Sequence, residues 1–251
     1  MKLLSSDISA FRAGCRSNST TRPHIDEKYL DDHLVRLYKT YEVTSALLSS
    51  MNSRQTLSIG VGPAFVEAEL SRSARASVSV VDFPEVIDAN RRYYEEHQFR
   101  CFSADITELS TRMFDHDFDL VLACEIVEHL PLPPSTIVEV LASLLAPSGY
   151  LVVSTPNASR LANVAKLLLH RPLLEEPERT FGEVSFENEG THRREYVESE
   201  IIDAFERNGV EHVKTHYTWF NSARTLENIV IRPFDSILPR YRPMMIVVGR
   251  K

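Results

Sequence analysis

A chain of 251 residues with 43% hydrophobic content can bury one sizeable core and fits a single α/β domain with additions. Its formal net charge of −7 argues against a nucleic-acid-coating surface, which carries a basic patch or stripe, while leaving room for a local basic groove. No apolar run approaches the ~20 residues of a membrane span, and the start MKLLSSDIS lacks the apolar stretch of a signal peptide.

Residues 1–25 are rich in Ser, Thr and Arg and read as a mobile tail or a lid. From Asp26 to Met51, Leu30, Leu34, Leu37, Tyr41, Leu47 and Leu48 recur at helical spacing, so one or two helices precede the sheet. Residues 1–52 are thus expected to form an N-terminal tail and helical lid, and 53–251 the main domain. Alternation follows: strand 56–61, helix 64–73, strand 77–82, helix 84–96, strand 99–103, a helical turn near 107–113, strand 118–123, helix 134–145 and strand 149–155. Strands interleaved with helices imply right-handed crossovers and a parallel sheet. A helix over 161–169, a helix over 197–208, a strand near 210–218 and a strand over 244–249 complete the pattern. The stretches 158–192 and 219–243 read as insertions on the substrate side of the sheet. Cys101 and Cys124 fall in expected buried strands and, with Cys15, read as reduced thiols in a cytoplasmic protein.

The most informative segment is TLSIGVG, Thr56 to Gly62. A β-type run ends in Gly60-x-Gly62 before a helix-compatible stretch, so bare main chain can lie against a nucleotide-like ligand at a helix N-terminus. A second β run ends in Asp82, which suits a ribose diol, and a third leads into Asp105. Three successive strands each bring a ligand-facing group to the carboxyl edge, where open parallel sheets bind nucleosides. The dinucleotide fingerprint needs a third glycine where this chain has Phe65, preceded by Ala64, which disfavours a dehydrogenase.

FDLVLACEIVEHL (Phe118 to Leu130), LLAPSGYLVVSTPN (Leu144 to Asn157) and HRREYVESEIIDAFERNGVE (His192 to Glu211) resemble the class I S-adenosylmethionine-dependent methyltransferases. The resemblance runs from about Leu57 to Arg250. It is nearest to the bacterial small-molecule branch, with the ubiquinone-biosynthesis and the sugar and polysaccharide-cluster O-methyltransferases. It implies a Rossmann-like fold: a mostly parallel seven-stranded sheet with helices on both faces and one late antiparallel strand. The family usually carries an acid two residues before the first glycine, bonding the methionine amino group directly or through water; this chain has Ser58 there, and Ala64 where a third glycine is frequent.

The implied cofactor is S-adenosylmethionine. Gly60, Val61 and Gly62 would lie against its methionine and ribose, Asp82 would bind the ribose hydroxyls and Phe83 would pack on the adenine. Asp105 with the Ile106 backbone would meet the adenine amine, and Cys124 and Glu125 would line the methionine moiety. Asp82 and Asp105 are also natural helix caps. Positions 125, 128 and 129 share a face if strand four runs into a helical turn. His129 then reads as a general base oriented by Glu128, or both as props of the strand–helix junction. His192, Arg193 and Tyr196 fall where the resembling enzymes cover the acceptor pocket. A neighbouring carboxylate makes Cys124 a poor nucleophile.

This main reading is methyl transfer to oxygen (or nitrogen) of a small molecule, without a metal. Two alternatives stay open. Glu125, Glu128, His129 and His192 are similar to the metal site of small-RNA 2′-O-methyltransferases, suiting Mg²⁺ or Mn²⁺ on a ribose diol. Ser58, Ala64 and the low glycine content also fit a non-catalytic scaffold of the same fold. The acceptor and the oligomeric state are not legible.

Overall fold

In the computed structural model, the described residues are 6–17, 27–173, 192–219, 233–234 and 237–251. Helices α1 (Ser6–Ser17) and α2 (Glu27–Ser49) precede an alternating series: β1 (Gln55–Ile59), α3 (Phe65–Ala74), β2 (Ser77–Asp82), α4 (Pro84–Glu96) and β3 (Arg100–Ser103). It continues with β4 (Phe118–Cys124), α5 (Pro134–Ser143), β5 (Leu145–Pro156), α6 (Leu161–Leu168), α7 (Glu198–Arg207), β6 (Glu211–Thr218) and β7 (Met244–Arg250). The sheet order is β3-β2-β1-β4-β5-β7-β6. The pairs β1–β2, β1–β4, β2–β3 and β4–β5 are parallel, whereas β7 runs antiparallel to both β5 and β6. The expected Rossmann-like sheet with one late reversed strand is present.

Strand residues alternate between two apolar layers, as a period of two demands. Leu57, Ile59, Val121, Ala123, Val153 and Val247 pack with Ile137 and Leu141 of α5 and with Ile201 and Phe205 of α7. On the opposite face, Val78, Val80, Leu120, Leu122, Val152 and Val248 meet Leu48 of α2, Leu70 of α3, and Ile87 and Tyr94 of α4. Burying each large side chain on both faces contributes about 1.5–3 kcal/mol, which fixes the sheet as a rigid central wall.

The N-terminal region departs from the sequence reading. Residues 6–17 form a helix, and Phe11 and Cys15 pack with Leu30, Leu34 and Phe65 in a third apolar cluster. Ile8, Phe11 and Cys15 lie at i, i+3 and i+7, a stripe too sparse to stand out in a polar segment. Helix α2 is one continuous element that docks on α3, with Leu30 and Leu34 of its N-terminal half packed against Phe65. Strand β5 starts at Leu145, earlier than the periodicity suggests, with a register shift against β4 between Phe118 and Leu120. Cys101 and Cys124 are half-buried rather than buried. Of the expected insertions, α6 and a 3₁₀ turn at Pro239–Tyr241 are seen; 174–191 and 220–232 lie outside the described residues. Among the described residues, no helix is long and apolar enough to cross a membrane.

Candidate active site

The chain turns at the end of β1 through Gly60 (φ +62°) and Gly62 (φ +49°), with Ala64 (φ +49°) also left-handed before α3 begins. The Gly60 amide donates to the Val81 carbonyl (2.8 Å), and the Tyr94 hydroxyl of α4 donates to the Gly62 carbonyl (2.8 Å). The turn is therefore held from both sides.

Asp82 ends β2 and is only 8% exposed. Its carboxylate accepts from the Gly62 amide (2.9 Å) and from the Phe83 amide (2.8 Å). Burial pushes its pKa above the ordinary value, opposed by the amide hydrogen bonds. A carboxylate offers about four lone-pair sites, so Asp82 keeps acceptor capacity for a ligand hydroxyl beside these backbone amides. Phe83 is half-buried beside it. Asp105 caps the Ile106–Glu108 turn, accepting from the Thr107 amide and hydroxyl, both at 2.8 Å. The capping role is therefore real for Asp105, and Ile106 is half-buried against the α5–α7 side core.

At the end of β4 the shared-face expectation fails. Glu125 adopts a left-handed backbone (φ +59°), so the chain does not run straight into a helical turn. Its carboxylate accepts from Ser154 Oγ (2.6 Å) and faces the Arg36 guanidinium at 3.4 Å. Glu128 points elsewhere: it is fully buried, with Oε2 accepting from Thr155 Oγ1 (3.0 Å). Its Oε1 is buried with no hydrogen-bond partner among the described residues. Burial, then the Glu125 charge, raises its pKa well above the usual carboxylate range.

His129 Nε2 stands 3.9 Å from Glu128 Oε1, inside electrostatic reach but too long for a hydrogen bond. The His192 ring meets the His129 ring edge-on at 4.9 Å between centroids. Ligand atoms of Glu128, His129 and His192 all lie within 4.8 Å of one another, and Glu125 does not join them. The fold thus unites three of the four residues in the sequence's metal alternative. The 192–196 segment is anchored here by backbone: the amides of Arg193 (2.8 Å) and Arg194 (3.2 Å) donate to the Glu128 carbonyl. Tyr196 is buried, which raises its pKa, and its carbonyl accepts from the Ala158 amide. The Arg194 side chain binds Glu200.

Three participants escaped the sequence reading. Arg36, 7% exposed on α2, receives Glu125 and donates to the Tyr29 hydroxyl (3.1 Å). Glu67, 6% exposed on α3, accepts from Ser58 Oγ at 2.6 Å. Ser154 on β5 holds Glu125. A signal for Arg36 exists: Arg36, Thr40 and Thr44 recur every four residues as a buried polar stripe on an otherwise apolar face. The Cys124 thiol, pushed up to about 12 by burial and by Glu67 and Glu125, is no nucleophile.

A strand order with one reversed strand beside the last parallel one, and a glycine turn with buried polar groups at the carboxyl edge, define the class I S-adenosylmethionine-dependent methyltransferase fold. Residues 33–229 match the model of the methyltransferase domain family, and the chain belongs to that family. Magnesium protoporphyrin IX methyltransferase from Synechocystis PCC 6803, solved with S-adenosylhomocysteine, is similar over 98% of this chain and 95% of its own (16% identity, TM-score 0.59). N-methyltransferase NodS from Bradyrhizobium japonicum WM9, also with S-adenosylhomocysteine, is similar over 95% and 98% (16% identity, TM-score 0.56). An O-methyltransferase family protein from Burkholderia thailandensis is similar over 85% of this chain, which spans only 55% of that one (15% identity, TM-score 0.54). No curated protein matches the chain. The residues at this edge fit S-adenosylmethionine: a buried acid beside amides for the ribose, and charges of both signs, the buried Arg36 and the half-buried Glu125, for an amino-acid end.

Proposed function

We propose that this methyltransferase acts on an oxygen of a small-molecule acceptor such as a sugar or secondary-metabolite hydroxyl, within the bacterial small-molecule branch. When bound, S-adenosylmethionine supplies an electrophilic methyl group on a sulfonium. Asp82 accepts from the ribose hydroxyls, Phe83 and Ile106 flank the adenine and Asp105 accepts from its amine. Gly60, Val61, Gly62, Cys124 and Glu125 line the methionyl end, and Arg36 with Tyr29 supplies the cation for its carboxylate. Helices α1 and α2 act as the cover of this edge.

At the acceptor, His129 takes the proton of the hydroxyl that would receive the methyl group from the bound cofactor. Glu128, with Oε1 beside the ring, orients His129, and His192, Arg193 and Tyr196 border the acceptor. The observation that carries this reading is the buried Glu128 Oε1 facing His129, with His192 alongside. The test is turnover of S-adenosylmethionine against a panel of hydroxylated acceptors. His129→Ala is expected to lower kcat about 10²–10⁴-fold while S-adenosylhomocysteine affinity holds. A kcat unchanged by that substitution rejects the base.

The same three residues favour a second reading, in which Glu128, His129 and His192 hold a divalent cation that acidifies the acceptor hydroxyl. Dialysis against a chelator separates the two. Activity that survives supports His129 as base; activity lost and restored by Mn²⁺ supports the metal.

A further inference from the structure

His192 reaches the Glu128–His129 pair from a stretch of chain outside any helix or strand, and meets the His129 ring edge-on at 4.9 Å. One ring contact is worth too little to order a loop residue, so the four residues that follow must hold it. The Arg193 and Arg194 amides donate to the Glu128 carbonyl, and Tyr196 pairs with Asn157 just past β5. Glu195 makes the remaining tie, and makes it with charge. Its side chain is 7% exposed, with one carboxylate oxygen 2.7 Å from Arg160 Nη2 and the other accepting from Asn163 Nδ2 at 2.8 Å. Arg160 caps the start of α6 and Asn163 stands three residues on, so both donors share one face of that helix. Asn163 is itself buried and also donates to the Ala158 carbonyl (3.0 Å), which fixes its amide. A carboxylate shared between a guanidinium and an amide, largely out of water, is a strong and directional tie.

We infer that Glu195, clamped by Arg160 and Asn163, is a positioning residue that holds His192 beside Glu128 and His129 at the acceptor site. The inference rests on the acceptor placement given under Proposed function. It makes the geometry of that site depend on α6, a helix that supplies none of the three side chains.

The test reads the two rings directly, by NMR of the full chain carrying isotope-labelled histidine. His129→Gln and His192→Gln identify the two sets of signals. The wild type is expected to show a nuclear Overhauser contact between the rings. Glu195→Ala is expected to abolish that contact and move the His192 signals, while the His33 and His212 signals and the circular dichroism hold. Glu195→Gln still accepts from Asn163 but loses the charge facing Arg160, so it should weaken the contact without abolishing it. A contact that survives in Glu195→Ala overturns the inference and leaves the acceptor reading standing. Displacement of the His33 and His212 signals as well also overturns it, because the residue then serves the fold at large. If the folded wild type shows no ring contact, the acceptor site itself fails and takes this inference with it. Kinetics give a second readout, with an acceptor that the hydroxyl panel turns over. His192→Ala and Glu195→Ala are each expected to lower kcat, by up to about 10²-fold, and the double substitution no further than the larger single loss. Losses that add overturn the inference.

Discussion

The Ile126 side chain occupies the space that a β-carbon on Gly60 would need: an ideal Cβ there lies 1.9 Å from Ile126 Cδ1. The glycine turn after β1 and the chain leaving β4 after Cys124 are thereby locked together at the cofactor edge. Gly60 is also left-handed, so alanine there meets both backbone strain and a clash. Gly60→Ala is expected to cost about 2–4 kcal/mol, read by urea denaturation. Gly62 has the same backbone hand but open space beside it, so Gly62→Ala should cost only about 1 kcal/mol. Adding Ile126→Ala to Gly60→Ala should restore cofactor binding in part, because it empties the contested volume.

Arg36 and Glu125 form a pair whose side chains are 8% and 14% exposed. Removing one partner leaves the other buried without its counter-charge. Arg36→Met is expected to lower stability by about 3 kcal/mol and to weaken S-adenosylhomocysteine strongly. Arg36→Lys keeps the charge but loses the fork toward Tyr29 and Glu125, so its binding should fall between the two. Melting curves and titrations of both variants check this order.

His216 on β6 has its pKa lowered from 6.5 to about 4 by burial, then by Lys39 and Lys214, with Glu42 opposing. The fold therefore prefers the neutral ring. Its contribution is fully present above about pH 6.5 and is lost as pH falls toward 4, because the unfolded chain takes up the proton first. The half-buried position and solvent screening limit the effect to about 1–2 kcal/mol. Denaturation midpoints between pH 7 and 4 should fall less steeply in His216→Gln than in the wild type.

Cys124, with a thiol held near 12, should resist alkylation by iodoacetamide at pH 8 in the folded protein. Mass spectrometry of the native and the unfolded chain reads the difference.

Much of this architecture could be read from the chain because the strands carry continuous apolar runs and each loop bears its own punctuation. Thr56 to Gly62, Asp82 and the β4 segment announce themselves locally. The partners that complete the site do not. Ser58 and Glu67 meet only because α3 folds back on β1, and Arg36 reaches Glu125 across the gap between α2 and β4. The left-handed Glu125 breaks the helical spacing, and its carboxylate binds Ser154 and Arg36 rather than joining Glu128, His129 and His192. Asp105 caps the following turn through Oδ1, the local role that the sequence offered beside the ligand one. Local chemistry was legible; side-chain pairings across distant elements had to come from the fold.

The cofactor reading places S-adenosylmethionine at the edge formed by Gly60, Gly62 and Asp82. Calorimetric titration with S-adenosylhomocysteine, run on the wild type and on Asp82→Ala, tests it most directly. Saturable binding by the wild type and a loss of about 1–3 kcal/mol in the variant, without a change in fold, are expected. Absence of binding to the folded wild type, or equal affinity in Asp82→Ala, would contradict it.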